Sequence, residues 1–138
     1  LLDAAHGVVF GSPTYMGTVS APFKAFMDGS SKAWLEGKWK DKLAGGFTNS
    51  GSYSGDKLNT LQTLTTLAFQ QGMVWVGSTE SAYQGTSPES VNRIGSYTGV
   101  MTQAGNVPPD QEPPSGDLEF GRRFGVRFAG ALLRWNKA

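Results

Sequence analysis

Three short apolar runs, at residues 8–10, 43–48 and 73–77, are each followed by polar or glycine-containing sequence. They contain β-branched and aromatic residues with little polar alternation, which is typical of parallel strands covered on both faces. The second run carries Gly45 and Gly46, which lower strand propensity and favour the close approach of a neighbouring helix. The pattern therefore predicts three buried parallel strands.

Longer segments with helical periodicity alternate with these runs. The first begins at Ser20, which can cap a helix whose first turn tolerates Pro22. The second covers about residues 55–71, and the third begins at Ser115 or Asp117. The predicted inner faces are Phe23, Phe26, Met27, Ser30 and Trp34 in the first helix, Leu58, Leu61, Leu64, Leu67 and Ala68 in the second, and Leu118, Gly121, Phe124, Gly125, Phe128, Leu132 and Trp135 in the third.

Alternating strands and helices predict an α/β fold with a parallel sheet. In that fold, Gly121 and Gly125 would let the last helix lie close to the sheet. Three strands alone would leave the strand at residues 8–10 with a bare edge, whose unpaired backbone groups are a template for another strand. The length of 138 residues suits a single domain with a substantial core, so we expect one domain over residues 1–138.

Residues 78–114 differ in composition from the rest of the chain. Ser, Thr, Gly and Asn are frequent there, and four prolines lie near the end of the segment. A loop of this length within a domain is usually functional or disordered. Apolar anchors such as Tyr83, Ile94 and Tyr97 favour an ordered, site-forming loop excursion. A linker is the alternative interpretation.

Composition limits the possible classes of function. Twelve Lys and Arg residues against eleven Asp and Glu residues give a formal net charge of +1, which argues against nucleic acid as a partner. No apolar run approaches the ~20 residues that span a bilayer, so we expect no membrane partner. The chain has no cysteine and one histidine, His6, so we expect neither a metal site nor a catalytic side chain. The absence of cysteine fits a cytoplasmic protein.

Polar loops, at residues 12–17 and 48–55, follow the first two predicted strands. Ligands of doubly wound sheets bind in loops at the carboxyl ends of the strands. Backbone N–H groups beside Thr14 and Tyr15 predict a planar ligand that is held by amides and an aromatic ring. The loops alone do not identify that ligand, because Gly, Ser and Thr follow parallel strands in many α/β proteins.

Four stretches resemble the flavodoxin-like superfamily in their order and spacing: GSPTYMG, FKAFMD, GFTNSGSYSGD and TLAFQQGMVWVG. The resemblance extends from about Leu1 to Trp135. It is most specific for the FMN-dependent NAD(P)H:quinone oxidoreductases once called tryptophan-repressor-binding proteins. It implies a flavodoxin-like doubly wound parallel sheet. Members of this family begin with a strand, a phosphate loop, a helix, a second strand and a second helix, none of which precedes Leu1. We therefore expect a sheet that is incomplete at the N-terminus, and weak FMN binding by this chain alone.

The resemblance implies FMN as cofactor, NAD(P)H as electron donor and a quinone as substrate. The residues that it assigns to FMN are Ser12, Pro13, Thr14, Tyr15, Met16 and Gly17 in the first loop and Thr48, Asn49, Ser50, Gly51, Tyr53 and Gly55 in the second. Gln71 and Tyr97 match positions near the quinone, although the family has a His pair where this chain has Gln70 and Gln71. For Tyr97, a role as a loop anchor is an equal alternative.

Two other functions stay open. One is a flavodoxin-type electron carrier, although such carriers are strongly acidic and this chain is nearly neutral. The other is a non-catalytic flavodoxin-fold protein that binds FMN weakly or not at all, which the lack of a phosphate loop favours. Large aromatic residues at helix ends and in the long segment also predict a homodimer or homotetramer. These residues are Trp34, Trp39, Tyr83 and Tyr97.

Overall fold

The computed structural model of the chain describes residues 1–137. The strands are β1 (Gly7–Gly11), β2 (Thr14–Tyr15), β3 (Thr18–Val19), β4 (Leu43–Ser50), β5 (Val74–Trp75) and β6 (Val100–Gln103). The helices are α1 (Ala21–Gly29), α2 (Ser31–Leu35), α3 (Lys57–Gln70) and α4 (Ser115–Trp135). Two short 3₁₀ helices lie at Leu2–Ala4 and Ala82–Gln84.

β4 is the central strand of a parallel sheet. β1 pairs with it from Gly7 opposite Leu43 onwards. Phe47 of β4 has partners on both sides, Gly11 in β1 and Val100 in β6. β5 pairs with the first residues of β4 and β6 with the last, so β5 and β6 fill one strand position in two halves. The predicted parallel sheet is confirmed.

The segment at residues 78–114, predicted as a loop excursion, contains β6, so that prediction is wrong for the residues of this strand. Only Val100 and Met101 are buried in β6, and two buried residues are too few to predict a strand from the sequence. The indole N–H of Trp75 in β5 donates to the carbonyl oxygen of Thr98 (2.6 Å). This bond joins the two halves of the interrupted strand position.

Helices cover both faces of the sheet. Ala44 of β4 and Met101 of β6 belong to a core formed with α1 and α3. Their neighbours Leu43 and Val100 face the other way and pack against phenylalanines of α4. This alternation follows from strand geometry, in which successive side chains point to opposite faces. The doubly wound arrangement is therefore as predicted.

The predicted first helix is two helices. Ser30 separates α1 from α2, and its hydroxyl donates to the carbonyl oxygen of Met27 (2.7 Å). A serine hydroxyl that bonds to the backbone in this way competes with regular helix bonding. Trp39, one of the aromatic residues expected at a subunit interface, is instead buried within the chain beside Phe26 and donates its indole N–H to Asp3 (2.9 Å).

The predicted inner faces of α3 and α4 are partly correct. In α3, the predicted residues Leu61, Leu64, Leu67 and Ala68 are buried, but Leu58 is half exposed and Lys57 is buried instead. In α4, Phe124 and Phe128 are buried as predicted, whereas Leu118 and Trp135 are about half exposed and Phe120 is fully buried. Apolar residues in these helices occupy two adjacent stripes, and periodicity alone does not determine which stripe faces the sheet.

β1 has a free edge. Within residues 1–137 it pairs with β4 alone, as the bare-edge prediction requires. Val9 and Phe47 are partly exposed beside this edge. They form an apolar groove together with Leu118, Gly121 and Gly125 of α4. The two glycines thus line open space, and the prediction that they bring α4 close to the sheet is wrong.

α4 approaches another part of the chain closely at Gly116, which packs against the backbone of Glu89 and Ser90. A methyl group added there would lie 2.4 Å from the carbonyl oxygen of Ser90, whereas one added at Gly121 would have no atom within 4 Å. We expect Gly116→Ala to lower the free energy of unfolding by about 1–3 kcal/mol through overpacking. Gly121→Ala in the same helix should raise it by up to about 1 kcal/mol. Urea unfolding of both variants tests this, and shifts of the same sign and size would contradict it.

Candidate functional site

The first predicted loop is a β-hairpin at the carboxyl end of β1. Its strands β2 and β3 pair antiparallel, with Thr14 opposite Val19. Met16 and Gly17 form the turn with φ angles of 49° and 84°. Two consecutive positive φ angles are typical of a type I′ turn, the turn that matches the twist of a hairpin. The hairpin presents Tyr15 and Met16 to solvent, so two side chains suited to packing on a planar ring are available.

Three threonine hydroxyls hold this hairpin against the rest of the site. The Oγ1 atom of Thr14 lies 2.8 Å from Oγ1 of Thr48, at the end of β4, and 2.8 Å from Oγ1 of Thr60, in α3. Thr48 and Thr60 are fully buried, so water does not compete for these bonds. The amide of Asn59 adds a bond to the carbonyl oxygen of Gly17 (2.8 Å).

Ser12 and Pro13 stand at the base of the hairpin. The buried hydroxyl of Ser12 accepts the backbone N–H of Ser20, the N-cap residue of α1 (3.0 Å). It also donates to the carbonyl oxygen of Pro13 (3.0 Å). The hydroxyl therefore links the strand end, the hairpin and the first turn of α1.

The second predicted loop starts in the last residues of β4. Asn49 and Ser50 still belong to this strand, which extends two residues further than predicted. The side-chain oxygen of Asn49 accepts the hydroxyl of Thr102 in β6 (2.8 Å). The carbonyl oxygen of Gly51 accepts the side-chain amide of Gln103 (3.1 Å). β6, which the sequence did not predict, therefore fixes the start of this loop.

A buried ion pair supports Tyr53 in the middle of the second loop. Arg93 binds Asp117 through two hydrogen bonds of 2.8 and 3.1 Å, and little of either side chain is exposed. The hydrogen bonds to Asp117 raise the pKa of Arg93. The guanidinium lies 5.3 Å from the centre of the Tyr53 ring, and the Tyr53 hydroxyl donates to the Arg93 carbonyl oxygen (2.5 Å).

The loop ends at Gly55, whose φ of 54° is the left-handed conformation that favours glycine. Within residues 1–137, the backbone N–H groups of residues 51–56 donate no hydrogen bond. Most of these residues are exposed. The loop therefore offers a row of free donors to an acceptor-rich ligand.

A cavity of about 380 Å³ lies beside this loop. Tyr53 and Ser54 line it from the loop, and Tyr97 and Met101 line it from the long segment and β6. The structure thus brings the predicted cofactor residue Tyr53 and the predicted substrate residue Tyr97 to one cavity. Tyr97 is also a loop anchor, because its hydroxyl accepts the backbone N–H of Ala82 (3.3 Å).

Gln71 does not lie near these loops, and its predicted place beside them is corrected. It follows the C-terminal end of α3, and its amide donates to the hydroxyl (2.9 Å) and the carbonyl oxygen (3.3 Å) of Ser30. α3 starts at the carboxyl end of β4 and runs back along the sheet. Its last residues therefore lie at the amino ends of the strands, whereas the hairpin lies at their carboxyl ends.

Several residues that build this site were not predicted from the sequence. They are polar residues that no sequence motif connects: Lys57, Thr60, Arg93, Gln103 and Asp117. A polar residue next to an inward-facing leucine, as Thr60 is next to Leu61, was the one available signal. Within residues 1–137, no group of three His, Asp or Glu side chains is placed to hold a metal ion.

Residues 1–86 match the family model described as NADPH-dependent FMN reductase, which covers more than half of the chain. The chain belongs to this family. The comparisons confirm the predicted flavodoxin-like fold and the predicted class of FMN-dependent oxidoreductases that use NAD(P)H.

Several known proteins are similar to this FMN reductase family member. Flavodoxin FldP of Pseudomonas aeruginosa is 41% identical over 131 residues, which are 94% of this chain and 71% of that protein. An NAD(P)H dehydrogenase (quinone) of Geobacter sulfurreducens is 32% identical, over 95% of this chain and 63% of its own length. The crystal structure of the flavodoxin, WrbA-like protein from Agrobacterium tumefaciens matches with a TM-score of 0.74 and 44% identity, over 96% of this chain and 69% of that chain. The chain spans about two thirds of the length of these relatives.

The two loops fit FMN by their chemistry. The flavin ring carries carbonyl oxygens and ring nitrogens, and the free backbone N–H groups of residues 51–56 are donors for such acceptors. Tyr15, Met16 and Tyr53 provide exposed surface on which a ring can pack. Ser12 and Thr48 are buried, so their side chains position the loops and do not reach a ligand.

We expect Thr60→Val to loosen the hairpin, because it removes one of the two hydroxyls that bind Thr14. Thr14 keeps its bond to Thr48, so the variant loses one hydrogen bond without leaving that hydroxyl unpaired, and the free energy of unfolding should fall by about 0.5–1.5 kcal/mol. In the control Thr66→Val, the lost hydroxyl bonds only to the carbonyl oxygen of Gln62 in its own helix. The control should change stability by less than about 0.5 kcal/mol.

Thermal unfolding gives the stability of both variants, and amide hydrogen exchange of residues 14–19 reports on the hairpin. Faster exchange in Thr60→Val alone is the expected result. Equal exchange in the two variants would contradict the anchoring role of Thr60.

Proposed function

We propose that the two loops hold the ring and ribityl chain of FMN in an NAD(P)H:quinone oxidoreductase. The observation that carries this proposal is the hydrogen bond between Thr14 and Thr48 (2.8 Å). It joins the hairpin and the second loop, which are the two segments that the family resemblance assigns to the cofactor. The FMN reductase family model and the quinone dehydrogenases among the relatives support the same activity.

FMN, when bound, would supply the redox chemistry: hydride transfer from NAD(P)H and two-electron reduction of a quinone to its hydroquinone, with one hydrogen derived from the hydride and one proton from water. The task of the chain is then binding, orientation and the exclusion of water. The exposed side chains of Tyr15, Met16 and Tyr53 would pack on the ring, and the backbone N–H groups of residues 51–56 would bind its oxygen atoms. No side chain needs to act as an acid or a base.

Tyr97 is proposed to contact the substrate. It lines the same cavity as Tyr53, and about half of its surface is exposed. A phenol hydroxyl can donate to a quinone oxygen, and its ring can pack on an apolar substrate. The hydrogen bond from Ala82 to the Tyr97 hydroxyl holds the ring in place without using the donor of that hydroxyl.

An electron carrier is the second candidate function. The relative that is 41% identical bears the name flavodoxin, which favours this alternative. The net charge of +1 opposes it, because a nearly neutral surface gives little electrostatic steering towards a charged partner. Reduction by NAD(P)H separates the two functions.

Assembly into a homodimer or homotetramer is part of the proposal. Trp34 and Tyr83 are 48% and 96% exposed, and large exposed aromatic residues are enriched at protein interfaces.

No helix within residues 1–137 is both long and apolar enough to cross a membrane. We place the reaction in the cytoplasm, because its proposed electron donor, NAD(P)H, is an intracellular nucleotide.

FMN titration followed by anaerobic addition of NADH or NADPH tests the proposed function. We expect FMN to bind the chain, with quenching of flavin fluorescence, and we expect one or both nucleotides to bleach its visible absorption. A quinone should then restore the absorption. Bound FMN that neither nucleotide bleaches would support a carrier, and no binding of FMN would contradict both candidate functions.

A further inference from the structure

Lys57 is a buried cation at the start of α3. Only 1% of its surface is exposed, whereas the next residue, Leu58, is half exposed. The ammonium group donates to the carbonyl oxygens of Ser52 and Tyr53 (3.1 Å to Tyr53). An ammonium has three donors and no acceptor, so binding to two carbonyl oxygens suits its charged form. The side chain thus reaches back beneath the second loop.

No carboxylate neutralises this cation directly. Within residues 1–137, the ion pairs of the protein do not include Lys57. The charged groups that act on it are Asp117 and Arg93, and these two are bonded to each other. Burial lowers the pKa of Lys57, and Asp117 opposes that shift. The loop therefore rests on one positive charge that no neighbouring carboxylate balances.

Stability alone does not explain a lysine at this position. Burying an ammonium that no carboxylate pairs with costs free energy, and an apolar side chain of similar volume does not carry this cost. The carbonyl oxygens of Ser52 and Tyr53 belong to exposed residues and can bind water. What an apolar side chain would not supply is a fixed loop and a positive charge next to Tyr53, which lines the cavity.

We propose that Lys57 is a positioning residue for the second loop, and that its positive charge favours an anionic group of the bound flavin. This inference rests on the proposed function. The anionic group is either the phosphate of FMN or the reduced flavin ring, and both are stabilised by a cation that is held in a site of low dielectric constant.

Three variants separate the effects of charge, hydrogen bonding and lost contact. Lys57→Met removes both the charge and the hydrogen bonds. Lys57→Gln keeps an amide donor for the loop but removes the charge. Lys42→Met is the matched control, because the Lys42 ammonium also binds two carbonyl oxygens, of Leu2 (2.9 Å) and Asp3 (2.7 Å), at the opposite end of β4.

The dissociation constants of FMN and riboflavin, each oxidised and reduced, are measured for the wild-type chain and the variants. We expect both Lys57 variants to weaken binding of at least one anionic form about tenfold, and Lys42→Met to change it less than about twofold. Weaker binding of oxidised FMN but not of oxidised riboflavin identifies the phosphate. Weaker binding of both reduced flavins identifies the ring. Equal binding by the Lys57 variants and the control in all four forms would overturn the charge effect.

Backbone ¹⁵N relaxation of the flavin-free chain tests the positioning role without any ligand. We expect order parameters at residues 52 and 53 to fall in Lys57→Met towards the flexible range, below about 0.6, and to stay high in Lys57→Gln and Lys42→Met. Unchanged values in Lys57→Met would overturn the positioning role. Wild-type chain that binds neither flavin would contradict the proposed function and the charge effect, and the relaxation data would still decide the positioning role.

Discussion

The carboxyl end of β4 is the point on which the rest of the candidate site depends. Thr48 is fully buried there, and its hydroxyl binds Thr14 of the hairpin. The same threonine precedes the second loop, and Thr60 of α3 completes the contact from the helix that follows that loop. A buried hydroxyl must find a partner or lose free energy of about 1–3 kcal/mol. Satisfying these hydroxyls therefore fixes the position of both loops together.

Charge plays a second, separate role beneath the second loop. Arg93 and Asp117 form a pair that is almost fully buried, and the pair holds Tyr53 by a contact between the guanidinium and the ring. Breaking such a pair leaves an uncompensated buried charge, which is strongly destabilising. Asp117 lies in the first turn of α4, so a helix far along the chain contributes to the support of Tyr53. The loop is exposed, but the ion pair that supports it is buried.

Much of the fold was predictable because it depends on local patterns. The short apolar run at residues 8–10 and the helix that starts after Ser20 correspond to β1 and α1, although the side chain of Ser20 makes no capping hydrogen bond. β6 was missed because two buried residues give no strand pattern. The break at Ser30 was missed because the helical pattern of the predicted inner face continues through Ser30 to Trp34, past Gly29 and the hydroxyl bond of Ser30 to the backbone.

The candidate site was predictable in its loops but not in its supports. The hairpin and the second loop follow from polar, glycine-containing sequence after two strands. Lys57 and Thr60, by contrast, contact residues whose positions depend on the packed tertiary structure. Gln71 was placed near the quinone by resemblance to the family. The direction of α3 instead places it at the amino ends of the strands, beside Ser30. Its pairing with Ser30 has no local signal in the sequence.

The central claim is that two loops at the carboxyl ends of β1 and β4 form one flavin site. Chemical-shift mapping of the ¹⁵N-labelled chain during FMN titration tests it most directly. We predict that the amides of Tyr15, Met16 and Gly17 shift together with those of Gly51 and Tyr53, on one binding curve. Shifts in only one of the two loops, or shifts centred on residues at the amino ends of the strands, would contradict the account.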